Sequence, residues 1–406
     1  MRKSARDRTR GTPPLGFRIE DRRVADRVQQ FPESVIREMT RVAAKYDAIN
    51  LAQGYPDFDP PREVLDAAKA ALDAGHNQYA ITWGAPEFRR AIADRAKRFN
   101  GIEADPEANI VVTCGTTEAM MAAMLSIVNP GDEVVIFEPY YENYGPDAIV
   151  SGARARFVAM PWPDWRIDDE ALKVAFTRRT KAIILNTPNN PTGKVFSRPE
   201  LRLIADLVAD RNAVAVTDEI YEHIVYDGRR HTSIATIGDM ADRTVTINGL
   251  SKTYSVTGWR VGWAIAPKPI ADAMRRTHDF LTVGAPHPLQ IAGVTALGLP
   301  ESYYRDLAAM YARKRDLLLA GVRKAGFDSV TPRGAYYIMA DFSPFDFKGD
   351  DTAFALHLTR DARVAVVPGS SFYANPRDGA RLVRFMFSKR DETLREAFER
   401  LGSLGM

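Results

Sequence analysis

Two rhythms of apolar and polar positions take turns along the middle of the chain. Short runs of strand length, Ile110-Val-Val-Thr113, Asp132 to Phe137, Ala153 to Ala159, Lys181 to Leu185 and Ala213-Val-Ala-Val-Thr217, are read as strands. Between them apolar residues recur three and four positions apart. This predicts helices running to Val128 and from Arg198 to Arg211. The helical rhythm also marks the stretch after Phe31-Pro32, Pro61 to Gly75, Glu87 to Phe99, Lys268 to Leu281 and a long segment from Pro300 to Gly326. Val245 and Ile247 alternate as a further strand, and Gly258 to Ala264 reads as the next. Three more strands are expected around Ala335 to Asp341, Val364 to Val367 and Arg381 to Phe387.

Strands alternating with helices from Asn109 to Thr246 predict an α/β fold: a mostly parallel sheet between helices, with loops at the carboxyl ends of the strands forming the site. At 406 residues the chain can hold one large domain and a smaller one. The longest apolar run, Ala119 to Val128, has the length of a core helix and not of a bilayer span.

Charge and cysteine usage narrow the picture. The formal net charge is only +3, but Arg2, Lys3, Arg6, Arg8, Arg10, Arg18, Arg22, Arg23 and Arg27 crowd the start. Neither an apolar h-region nor interleaved aromatics accompany them. Residues 1–27 are therefore read as a solvated, poorly ordered extension, neither a targeting peptide nor a nucleic-acid arm. The single cysteine, Cys114, excludes an internal disulfide, and without a secretory signal the cytoplasm is the expected compartment.

Candidate chemistry gathers at the predicted strand ends. Lys252 sits in a Gly/Ser turn eight positions before Arg260; a desolvated amine can react with a carbonyl, and a guanidinium matches phosphate oxygens. Gly115, Thr116 and Thr117 open a helix after a strand, an arrangement that binds anions through free N–H groups, although threonine also serves as an ordinary cap. Tyr141, with Tyr140 beside it, follows another strand and can stack on a ring. Asp218 ends a buried strand, where a fixed carboxylate can hold a basic nitrogen protonated. Arg384 interrupts the apolar alternation Leu382-Val-Arg-Phe-Met, so an anionic partner is expected for it, a substrate carboxylate or a structural salt bridge. Asp218, Glu219 and His223 could suggest a metal, but no second His/Cys cluster completes a ligand set, and no metal is expected. Neither a Walker A run nor a Gly-x-Gly-x-x-Gly fingerprint is present.

The run Ser251-Lys-Thr-Tyr-Ser-Val-Thr-Gly-Trp-Arg-Val-Gly262 resembles the cofactor-lysine segment of class I, fold-type I aminotransferases that use pyridoxal 5′-phosphate. The nearest branch is that of the kynurenine, glutamine/phenylalanine, methionine and aspartate enzymes. Asn50-Leu-Ala-Gln-Gly-Tyr-Pro-Asp-Phe-Asp-Pro60 and Asn186-Thr-Pro-Asn-Asn-Pro-Thr-Gly193 resemble two more of its signatures, and the likeness covers about residues 30 to 400.

The resemblance implies a large cofactor domain, 61–299, with a seven-stranded sheet, and a smaller α+β domain from 28–60 and 300–406. It implies a Schiff base to Lys252, which then moves the α-proton as base and acid. Asp218 would pair with the pyridine nitrogen, Asn190 and Tyr221 with the phenolic oxygen, and Tyr141 with the ring face. Gly115, Thr116, Thr117, Ser251 and Arg260 would hold the phosphate. Arg384 would bind the substrate α-carboxylate, with Gly54 and Asn190 nearby. Tyr79 and His287 would reach the site of the other subunit of a homodimer, whereas the sequence alone reads Tyr79 as a buried loop residue. The activity implied is transfer of an amino group from an L-amino acid to a 2-oxo acid. The alternative is β- or γ-elimination or γ-replacement on the same framework, for example by a carbon–sulfur lyase. One departure stands out: Gly249 occupies the position, three before the lysine, where many relatives carry a phosphate-binding Ser or Thr.

Overall fold

The computed structural model describes residues 21–402. Most of the basic extension, from Arg2 to Arg18, lies outside the described residues; Arg22, Arg23 and the turn Asp26–Gln29 fall within them. A helix, Val35–Lys45, starts at Ser34, whose hydroxyl accepts from the Arg37 N–H, and leads to β1 (Ile49–Asn50). Helices Arg62–Asp73 and Pro86–Asn100 follow.

The seven-stranded sheet is formed by β2 (Ile110–Thr113), β3 (Glu133–Glu138), β4 (Arg154–Ala159), β5 (Thr180–Asn186), β6 (Val214–Asp218), β7 (Thr244–Gly249) and β8 (Gly262–Ile265). Their order is β2-β8-β7-β6-β5-β3-β4, parallel throughout except for β8, which runs antiparallel to both neighbours. The expectation of a mostly parallel sheet is thus met.

The continuous apolar runs have a physical reason, since side chains of alternating parity enter two cores. Val134, Ile136, Ala182, Ile184, Val216, Val245 and Ile247 pack with Ala119, Met120 and Ala123 of helix Thr116–Ile127 and Met274 of helix Lys268–Thr282. Val135, Phe137, Ile183, Leu185 and Ala215 face the other way, onto Leu201, Ile204 and Val208 of helix Arg198–Asp210. Each fully buried Leu or Ile contributes on the order of 1.5–3 kcal/mol.

Helix Glu301–Lys324 carries Leu307, Tyr311, Leu318 and Val322 into the second core, which continues into a smaller sheet. That sheet comprises β9 (Asp328–Ser329), β10 (Tyr337–Asp341), β12 (Val367–Pro368) and β13 (Leu382–Met386), antiparallel in the order β12-β13-β10-β9, while β11 (Val364–Ala365) pairs in parallel with β1.

One expected strand is shorter than its alternation suggested. Gly258 to Ala264 does not run extended throughout: Thr257–Trp259 make a 3-10 turn, Arg260 is left-handed at φ +53°, and the strand begins only at Gly262. The kink swings Arg260 back toward the start of helix Thr116–Ile127.

Candidate active site

Strand ends place the candidate residues around one cleft of about 930 Å³. At the end of β2 the chain turns through Gly115, at φ +85°, and helix Thr116–Ile127 starts with no side-chain cap. Its first N–H groups and the positive end of its dipole therefore face a cleft that Thr116 and Thr117 line. The Arg260 guanidinium lies against Gly115 so closely that a Cβ there would stand 2.3 Å from Nη2. Arg260 gives Nη1 to the Thr257 carbonyl at 3.0 Å and has no carboxylate partner among the described residues. Ser251, buried beside the lysine, completes this anion-seeking corner. At Gly249 a Cβ would stand 2.9 Å from the Val261 carbonyl oxygen and 3.3 Å from Thr116 Cγ2, so the site is built around the missing side chain.

Lys252 projects into the cleft and donates to the Gly54 carbonyl at 3.0 Å. Burial, with Arg260 and Arg384 acting the same way against the pull of Asp218, lowers its pKa from 10.5 to about 8. Gly54 itself has no room for a Cβ, which would meet the Tyr337 hydroxyl at 2.2 Å. The close approach that its glycine permits is thus to Tyr337.

Asp218, at the end of β6, is buried and accepts from the Tyr144 hydroxyl at 2.9 Å and the Ile220 N–H at 3.2 Å. Burial raises its pKa to about 6, although these hydrogen bonds and Lys252 favour the anion. The Tyr221 hydroxyl shares a 2.9 Å hydrogen bond with Tyr337. Of the two adjacent tyrosines, Tyr141 lines the cleft, edge-on to Tyr144, while Tyr140 stacks on Phe157 outside it.

The turn after β5 is tied down by Asn186, which accepts from the Asn190 N–H at 2.7 Å and donates to the Asp218 carbonyl at 2.9 Å. Asn190 Oδ1 accepts from Arg384 Nη1 at 2.7 Å, which fixes the amide with its NH₂ as the remaining donor. Arg384 is fully buried, bonds the Ala52 carbonyl, and rests 4.3 Å from the Tyr337 ring centroid. Its Nε has no partner, and no carboxylate pairs with it among the described residues. The structural salt bridge weighed for it is absent there, which leaves the cleft as the direction from which a counter-ion can come.

Two predicted residues stand apart. Tyr79 is 82% exposed, which corrects the buried-loop reading, and it does not line this chain's cleft. His287 starts the helix His287–Leu297 half-buried, with Nδ1 3.0 Å from the Gln78 carbonyl, also outside the cleft. Sequence reasoning missed Tyr144 as the partner of Asp218, Tyr337 beside Tyr221, and Glu118. The Glu118 carboxylate takes the Cys114 N–H and pairs with buried His278 at 2.6 Å, fastening the cradle to helix Lys268–Thr282. No motif marks the contacts of Tyr144 with Asp218, Tyr337 with Tyr221 and Glu118 with His278, because they join residues far apart in the chain.

The metal reading is also redrawn. The converging ligand types are Glu219, Glu222 and His231, not Asp218 and His223. Glu219 accepts from His231 at 2.8 Å and Ser233 at 2.8 Å, and Glu222 from Asn100 at 2.8 Å, while His231 Nδ1 is buried without a partner among the described residues.

A mostly parallel sheet with an amine, a carboxylate and an uncapped helix start at its strand ends is suited to holding a phosphorylated carbonyl compound. The sequence profile of aminotransferases of class I and II matches residues 46–401, and the chain belongs to that family. It is a pyridoxal-phosphate-dependent enzyme of fold type I that transfers amino groups. A probable N-succinyldiaminopimelate aminotransferase of Mycobacterium tuberculosis is 39% identical over 390 residues, 93% of this chain and 98% of that protein. The kynurenine–oxoglutarate transaminase of Dictyostelium discoideum is 38% identical, over 91% of this chain and 94% of that one. Among solved structures, that of N-succinyldiaminopimelate aminotransferase from M. tuberculosis superposes with a TM-score of 0.91 at 39% identity, covering 94% of this chain and all of that one. No described helix is long and apolar enough to cross a membrane.

Proposed function

We propose that Lys252 is the residue that anchors the cofactor and moves the substrate proton in an aminotransferase acting on L-amino acids. The observation that carries this is the shared cleft of Lys252, Asp218 and a fully buried Arg384 with no carboxylate partner among the described residues. The residues fit pyridoxal phosphate: the uncapped helix start and Arg260 form an anion cradle that a Cβ on Gly115 would fill, and Asp218 supplies the carboxylate.

When bound, the cofactor supplies a conjugated electron sink for the substrate α-carbon. Asp218 would hold a proton at the ring nitrogen, Tyr221 and the Asn190 amide would donate to the ring oxygen, and Tyr141 would cover the ring. Gly115, Thr116, Thr117, Ser251 and Arg260 would bind the phosphate. Arg384 would clamp the α-carboxylate through two parallel N–H groups, meeting the need of its unpartnered side. The Lys252 amine, with its lowered pKa, would accept the substrate α-proton and pass it to the cofactor's carbonyl carbon.

The proposed assembly is a homodimer in which Tyr79 and His287 serve the neighbouring cleft. Its support is an exposed apolar surface of Tyr79, Ile81, Phe280, Leu281 and Val283 beside the cleft mouth, where Leu281 and Thr282 line the rim. Division into a 61–299 domain and a 28–60 plus 300–406 domain is supported by the parallel pairing of β1 with β11. The cytoplasm remains the proposed compartment, in keeping with the free Cys114.

The test is to add single amino acids to the cofactor-loaded protein without an oxo-acid acceptor. Conversion of the bound cofactor to its amine form with one equivalent of 2-oxo acid is expected. Release of ammonia or a thioether instead would overturn the reading in favour of elimination, which nothing in the relatives or the cleft favours.

A further inference from the structure

A second cleft, of about 570 Å³, opens on the outer side of the turn that carries Asn190. The loop after β4 contributes Arg166, the turn and the following helix start contribute Lys194 and Arg198, and two loops packed against them contribute Arg229, Arg230 and Arg333. Only Asp164 and Glu200 oppose these cations at the walls. Glu200 is already committed, since it accepts from Lys194 Nζ at 2.6 Å and forms a capping box with Ser197. Asp227, whose carboxyl lies in the field of Arg229 and Arg333, is held by Arg315 through bonds of 2.7 and 3.0 Å.

Arg166, Arg198, Arg229, Arg230 and Arg333 are exposed, and their side chains have no hydrogen bond or ion pair among the described residues. Unpaired guanidinium groups from separate loops that converge on one concavity repel one another, and a cleft lined by one sign of charge concentrates counter-ions. Guanidinium forks match phosphate oxygens two at a time, and so many of them exceed what one phosphate can use. The volume lies within the range of small-molecule sites, roughly 300–1,000 Å³.

From this convergence of unpaired arginines we propose that the second cleft binds a small molecule carrying a chain of two or more phosphate groups. The cleft shares its wall with the active site. Thr192, Gly193 and Lys194 line it, while the Lys194 carbonyl accepts the Asn189 N–H at 2.8 Å and Asn190 bonds Arg384 on the other side. The Gly193 carbonyl also accepts the N–H groups of Arg333 at 3.0 Å and Gly334 at 2.9 Å, which fastens the arginine loop to the same turn. Occupation of the cleft therefore acts on the turn that positions Asn190, and the expected effect is a change of a few fold in the KM for the amino acid.

The experiment is calorimetric titration of the holoenzyme with sodium tripolyphosphate at constant ionic strength, so that bound cofactor blocks the phosphate cradle of the active site. Saturable binding of one equivalent is expected. It should weaken at least tenfold in Arg229→Glu/Arg333→Glu and stay unchanged in Arg305→Glu, an exposed arginine of helix Glu301–Lys324 that does not line the cleft. If charge reversal prevents folding, Arg229→Gln/Arg333→Gln should show the same direction of loss. ATP binding as tightly as tripolyphosphate assigns the site to nucleoside polyphosphates, and tripolyphosphate binding alone assigns it to inorganic chains. Absence of saturable heat, equal loss in the Arg305 control, or displacement of tripolyphosphate by added pyridoxal phosphate would overturn the proposal. The heat is read without turnover, so this result stands apart from the aminotransferase assignment.

Discussion

Lys252 and Asp218 are both pushed toward neutrality by burial, and each has a different neighbour setting how far. For Lys252 the nearby cations add to the effect of burial, and the pKa of about 8 leaves an appreciable fraction of free amine near neutral pH. Reductive trapping of Lys252 by a small aldehyde in the cofactor-free protein should rise through a midpoint near pH 8 and vanish in Lys252→Ala. A midpoint at the ordinary lysine value would remove the argument. For Asp218 the opposing effect comes from hydrogen bonds, Tyr144 first. Removing a donor to the charged form raises a carboxyl pKa, so Tyr144→Phe should move the Asp218 titration upward from about 6. The shift should be below about one pH unit, as befits one hydrogen bond of ~1 kcal/mol. Carboxyl NMR of the cofactor-free protein measures it, and an unchanged midpoint would show that the Tyr144 contact does not tune the acid.

At the level of elements, the cradle depends on how tightly β7, β8 and the start of helix Thr116–Ile127 approach one another. A Cβ on Gly262 would stand 2.6 Å from the Gly115 carbonyl carbon, and one on Gly249 would meet the β8 backbone. Gly249 is therefore a packing requirement of this chain. Gly249→Ser should destabilise the protein by about 1–3 kcal/mol through overpacking, without tightening cofactor binding. Thermal unfolding and cofactor titration check both parts; tighter binding at unchanged stability would contradict the geometry. Strand and helix existence was legible because two-sided burial demands continuous apolar runs. The start of β8 was not, because Val261 and Trp263 alternate whether or not the chain before them has turned back to place Arg260.

At the scale of the whole molecule, the described residues leave an apolar surface beside the cleft mouth uncovered. Phe280 is 92% exposed and Tyr79 82%, beside the cleft mouth. If this surface is the subunit contact, the protein should sediment at about twice the 45.2 kDa chain mass. Phe280→Glu/Val283→Glu should then shift it to monomer and lower kcat, since the neighbouring Tyr79 would be lost from each cleft. A monomeric parent with full activity would exclude that assembly.

What the sequence by itself determined was the order of elements and the local chemistry at their ends: Lys252, Asp218, Asn190, Arg260 and Arg384 each stand in a short stretch whose pattern names its residue type. Local patterning suffices there because burial periodicity and turn chemistry act over a few residues. Tertiary structure alone decided that Tyr144 serves Asp218, that Glu118 locks the cradle to His278, that Arg384 has no carboxylate partner among the described residues, and that dispersed arginines share a second cleft. Those facts are distances between side chains up to hundreds of positions apart, and only the packing of separate elements sets them.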